Sequence, residues 1–163
     1  MKGSMPIFAA LALAPVAVYA HDGSMHAKAG GEHSEDGRHA QGAGKPGDPK
    51  KVSRAIQVVM SDDMKFAPAK IDVKRGETIR FVVRNAGQIT HEMIIGSMVE
   101  LKEHAEMMRK MPGMEHAEPN QVKLDPGKTG ELIWRFTKAG TFDFACLQPG
   151  HFEAGMMGKV SVK

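Results

Sequence analysis

An all-β sandwich or barrel is the fold class this sequence predicts. Two observations carry that expectation. From about residue 54 onward the chain is a series of short runs in which apolar and polar residues alternate, the period of half-buried strands. Turn residues separate many of those runs, as at Arg75-Gly76, Ala86-Gly87, Pro126-Gly127, Ala139-Gly140 and Pro149-Gly150. A third observation adds one exception: residues 97–111 contain no turn signal and are mostly good helix formers.

The elements follow in chain order. Lys2, the apolar run from Ile7 to Val18 and the small residues around Ala20 form the pattern of a secretory signal peptide, with cleavage expected after Ala20. The apolar run is too short for a convincing membrane span. The expected product is an exported, periplasmic chain that begins at His21 and has no membrane span. Residues 21–50 are Gly, His, Ser, Ala and charged residues, with almost no large apolar side chain. Such a segment cannot bury enough surface to offset its ordering entropy, so a disordered arm is expected there. The remaining residues, 51–163, are about the size one sandwich domain needs.

Within that domain Ile56, Val58 and Met60 mark a first strand. Ile71 and Val73, then Ile79, Phe81 and Val83, mark the next two. Val122 and Leu124, Leu132 with Trp134 and Phe136, Phe142 and Phe144, and Val160 and Val162 mark the rest. The helical stretch ends at Pro112-Gly113. At helical spacing Met98, Leu101, Ala105 and Met108 share one face, expected to be core. Glu100, His104, Met107 and Met111 share the neighbouring face.

Composition narrows the function. A net charge of +3 without a basic cluster does not argue for nucleic acid. Thirteen methionines and eight histidines are the unusual feature, beside a single cysteine, Cys146. A lone cysteine in an exported protein pairs with another chain, reacts, or is held by something. No local signature of a cysteine nucleophile surrounds it, so enzymatic turnover is not expected.

The informative segment runs from Cys146 through Pro149-Gly150 and His151 to Gly155-Met156. Phe142, Phe144 and Cys146 alternate on one strand, so the thiol points to the apolar side. A thiolate, an imidazole and a thioether brought together by one turn suit copper. Two histidines and one cysteine with a weak axial methionine form an electron-transfer copper site of the type 1 kind. The loop supplies one histidine, and His91, at a loop end after Ala86-Gly87, is the best candidate for the second. His104 and His116 lie in or just after the helical insertion.

The residues then match a family. Met64 to Pro68, Gly76 to Phe81, Asn85-Ala86-Gly87 and His91-Glu92 resemble the first half of plastocyanin-like cupredoxins. Pro126-Gly127, Phe136, Ala139-Gly140 and the stretch from Cys146 to Gly158 resemble the rest. The chain is most similar to the periplasmic copper-tolerance branch. The resemblance implies a cupredoxin Greek-key β-sandwich, here with a short Met- and His-rich helical insertion. It implies copper, cycling between Cu(I) and Cu(II), on His91, Cys146, His151 and Met156. The Gly-Met-x-Gly pattern selects Met156 over Met157. Two departures from plastocyanin stand out. Four residues separate Cys146 from His151, a longer spacing that other cupredoxins share, and Glu92 stands where plastocyanin has asparagine.

Additional copper is a further expectation. His104, Met107, Met111, Met114 and His116 offer soft and imidazole donors for a second site. His21, with its free amine, and His26 offer a Cu(II) chelate at the mature N-terminus. Copper tolerance and handling is the function this donor surplus favours. The alternative is a carrier of single electrons between redox partners. A redox partner protein or a copper exporter would be the partner beyond copper itself.

Overall fold

The structure, a computed structural model, describes residues 42–111 and 117–163. Its elements are β1 (Lys45–Pro46), a 3-10 turn (Pro49–Lys51), β2 (Arg54–Ser61), β3 (Lys65–Ala67), β4 (Lys70–Val73), β5 (Thr78–Asn85) and β6 (His91–Gly96). They continue with α1 (Met98–Lys110), β7 (Gln121–Leu124), β8 (Thr129–Arg135), β9 (Gly140–Ala145) and β10 (Met157–Val162). The strands form two sheets of five, in the orders β1-β8-β5-β2-β3 and β4-β10-β9-β6-β7. The chain leaves the first sheet after β3 and returns at β5, so β2 and β5 run parallel as neighbours. β4 and β10 are the parallel pair of the second sheet.

The alternating runs do what their period demands. Val58 and Met60, Ile79, Phe81 and Val83, and Leu132 and Trp134 face inward from the first sheet. Ile71 and Val73, Met93 and Ile95, Phe142 and Phe144, and Val160 and Val162 meet them from the second. These side chains form one core, with Phe66 set edge-on to Phe144 at 5.0 Å between ring centroids. Gly158 sits opposite Phe144 across the β9–β10 pair, and a Cβ there would run into the Phe144 ring.

The domain starts earlier than composition suggests. Ala43 is fully buried, and Lys45 and Pro46 pair with Arg135 and Trp134, inside the segment read as an arm. Neither the expected signal peptide nor residues 21–41 lie among the described residues.

β6 is the longest strand that periodicity misses. All six of its residues are buried. Its inner face meets the core, and its outer face lies under α1, where Ile94, Leu101, Ala145 and Leu147 form a second apolar cluster. A strand covered on both sides has no alternation to read.

Helix α1 begins with a capping box. The Ser97 hydroxyl accepts from Glu100 N, and the Glu100 carboxylate accepts from Ser97 N. Leu101 and His104 are its buried residues, and Ala105 packs against the second cluster. The expectation that Met98 and Met108 form its core face is corrected: both are only half-buried and belong to neither cluster. Leu101 and Ala105 supply that contact, and the His104 imidazole takes the inward position one turn along.

Candidate metal centre

β9 delivers Cys146. Strand alternation turns Ala145 and Leu147 toward α1 and leaves Cys146 in the main core, fully buried. The chain then turns through Gly150 and Gly155, both at positive φ, where glycine has no steric penalty. His151 N donates to Gln148 O, Met156 N to His151 O, and Cys146 N to Met156 O. This lacing closes a loop that brings His151 and Met156 back beside Cys146. Met156 is fully buried in the core and His151 is half-buried.

His91 arrives from the other side, as the first residue of β6, where the loop after Ala86-Gly87 ends. Its ring is fully buried and lies 4.8 Å from that of His151, tilted by 51°. The Cys146 Sγ is 3.2 Å from His151 Nδ1 and 4.0 Å from His91 Nδ1. The three ligand atoms all lie within 4.8 Å of one another. Cys146, His91 and His151 are thus brought together as the sequence suggests.

The surroundings suit a deprotonated sulfur bound to a cation. Burial pushes the Cys146 thiol up to about 11, while the Glu92 N–H, 3.4 Å from Sγ, works in the opposite direction. Burial, followed by the nearby His91, holds the His151 imidazole below its ordinary range. A thiol so buried is inert toward solvent and needs a bound cation to become a thiolate. One sulfur and two imidazole nitrogens converging in an apolar pocket, with a buried thioether in the same loop, is a donor set that fits copper.

Glu92 resolves the question its position raises. It is buried, and its carboxylate accepts from Leu147 N at 3.0 Å, Gln148 Nε2 at 3.0 Å and Gln121 Nε2 at 2.8 Å. It therefore ties β6 to β7 and to the start of the ligand loop, with more acceptor capacity than asparagine offers.

The additional donor residues are dispersed. His104 and Met108 line a cavity of about 480 Å³ with Glu92 and Gln148, beside the ligand loop. Met107 and Met111 line a separate groove with Lys102, Glu103, Glu106 and Lys110. His104 therefore opens on a different cavity from Met107 and Met111. Met114, His116, His21 and His26 lie outside the described residues.

Sequence reasoning missed Asp62, the first residue of the turn after β2. Its Oδ1 lies 3.0 Å from His91 Nε2. Nothing in local sequence marks it, because 29 residues separate the two.

Comparison with known proteins agrees with this geometry. A family model for copper binding proteins, the plastocyanin/azurin family, matches residues 54–163. The copper-resistant cuproprotein CopI of Rubrivivax gelatinosus is 54% identical over 144 residues, covering 88% of this chain and 84% of that protein. CopI of Pseudomonas aeruginosa is 38% identical over 154 residues, covering 77% and 84%. Among solved structures, auracyanin B superposes with a TM-score of 0.61 at 18% identity, over 75% of this chain and 96% of that one. Reduced auracyanin of Roseiflexus castenholzii gives 0.58 at 19%, over 69% and 98%. The auracyanins are similar in fold. The chain belongs to the plastocyanin/azurin family of copper binding proteins.

Proposed function

We propose that this protein is a periplasmic copper-handling cupredoxin that serves copper tolerance, with one type 1 copper held by His91, Cys146, His151 and Met156. The single observation that carries the ligand set is the convergence of Cys146 Sγ with the two histidine Nδ1 atoms. Met156 is the fourth ligand because the loop returns it, buried, to the Cys146 backbone. The tolerance role rests on relatives named copper-resistant cuproproteins at up to 54% identity. The periplasmic location rests on the signal-like first twenty residues. No helix among the described residues is long and apolar enough to cross a membrane.

Bound copper supplies one-electron exchange between Cu(I) and Cu(II) in a site the protein has already shaped. The chain's part is to exclude water around Cys146, to present both Nδ1 atoms and to hold the loop still through Glu92. Met107, Met111 and Met114, with His104 and His116, and the arm residues His21 and His26, are proposed to take further copper. A second reading is a single-electron carrier. It is favoured by the half-buried row of His151, Phe152 and Met157, where the ligand edge reaches the surface.

Total copper bound per purified chain separates the two. Handling predicts uptake beyond one equivalent that falls when residues 21–41 are removed and falls again when Met107, Met111 and Met114 are replaced by leucine. Uptake that stops at one equivalent would leave the electron carrier.

A further inference from the structure

His91 is fully buried, yet the far side of its ring is not apolar. Its Nε2 lies 3.0 Å from Asp62 Oδ1. An ionised carboxylate only accepts, so Nε2–H donates, and the neutral ring must leave its lone pair on Nδ1, the nitrogen that faces Cys146. Asp62 is itself held in place, because its Oδ2 accepts from Gln88 N at 2.7 Å. The 85–90 turn is shaped for this approach. Asn85 accepts from Gly87 N and donates to Ile89 O and Leu124 O, and any side chain at Gly87 would overlap the Asp62 carboxylate.

A carboxylate behind a metal-binding histidine does two things. It fixes the tautomer and ring orientation, and it raises the basicity of the ligating nitrogen. It also adds a negative charge one ring away from the metal, which favours the more highly charged ion. We propose that Asp62 is a positioning residue that fixes His91 Nδ1 as the ligating atom and biases the site toward Cu(II) over Cu(I). This deepens the proposed ligand set and rests on His91 belonging to it.

Two variants separate orientation from charge. Asp62→Asn keeps an acceptor oxygen and removes the charge, whereas Asp62→Ala removes both. Because Asp62 is 40% exposed, neither change opens a core cavity. The tautomer is read in the metal-free protein from the ¹⁵N shifts of His91. The redox bias is read from the reduction potential of the copper-loaded protein. The parent and Asp62→Asn are expected to hold the Nε2–H tautomer, and Asp62→Ala to lose it. Asp62→Asn is expected to lower the Cu(II)-to-Cu(I) affinity ratio about tenfold, a rise of about 59 mV for one electron. In Asp62→Ala the Cu(II) affinity should fall about 10- to 100-fold. An unchanged His91 tautomer in Asp62→Ala, or an affinity ratio in Asp62→Asn within twofold of the parent, overturns the proposal. Because the tautomer needs no metal, it can fail or hold independently of the ligand assignment, which the parent's visible spectrum tests.

Discussion

At the scale of single residues, two carboxylates, Asp62 and Glu92, stand beside the proposed donors. Glu92 is the clearer case for stability, because its partners include a buried backbone N–H at Leu147. Removing it leaves that donor and the two glutamine amides unmatched, and an unpaired buried donor costs about 1–3 kcal/mol. Glu92→Ala should therefore lower the unfolding free energy of the metal-free protein by about 3 kcal/mol in a denaturant titration. A loss below 0.5 kcal/mol would show that water replaces the carboxylate freely. The proposed donors Cys146, His151 and Met156 stand out in sequence because one short loop carries them all. Asp62 does not, because only the packing of the β2 end against the start of β6 brings it to His91. Glu92 shows in sequence as a departure from plastocyanin, but its three partners come from two distant segments.

At the scale of elements, β6 and α1 form one unit. β6 carries His91 on its inner face and Glu92 and Ile94 on its outer face, and α1 covers the latter. The strand was invisible to periodicity for the reason that makes it useful: both faces are buried, so His91 starts from a fixed backbone. Ile95 is wholly enclosed there, and Ile95→Ala should cost about 2–5 kcal/mol by cavity formation, read from the shift in denaturant midpoint. The helix was legible to within a residue at each end, since residues 97–111 were expected and Met98–Lys110 are helical. Its inward face was less so, because methionine, leucine and histidine at helical spacing give no unambiguous stripe. Ser97→Ala removes the capping hydroxyl and should cost about 1 kcal/mol. Faster amide exchange confined to the first turn of α1 would be its local signature. Exchange unchanged there would mean that Glu100, which also accepts from Gly42 N, holds the helix start alone.

At the scale of the whole molecule, two sheets close over one core. The sheets were legible because most strands have one wet face; β1 and β3 are too short to show a period. The sandwich is also pinned across β2 and the turn before β5. Glu77 accepts from Arg54 Nε at 2.9 Å and from Lys74 N at 2.8 Å, and the Arg54 contact holds its carboxyl below the usual carboxylate range. A carboxyl depressed in the folded state adds stability above its unfolded pKa and loses it as pH falls through the folded value. Stability should thus decline with acid below about pH 4.5, and Glu77→Gln should flatten that decline. Urea midpoints compared from pH 7 down to pH 3 check this, and identical slopes for parent and variant would exclude Glu77 as a source of acid sensitivity. Copper that binds only the folded chain should raise the thermal midpoint in a concentration-dependent way.

The visible spectrum of the protein loaded with one equivalent of Cu(II), recorded beside that of Cys146→Ser, tests the ligand assignment most directly. An intense thiolate-to-copper band that saturates at one equivalent in the parent and is absent from the variant is the expected result. A colourless parent, or a variant that keeps the band, would contradict copper ligation by Cys146.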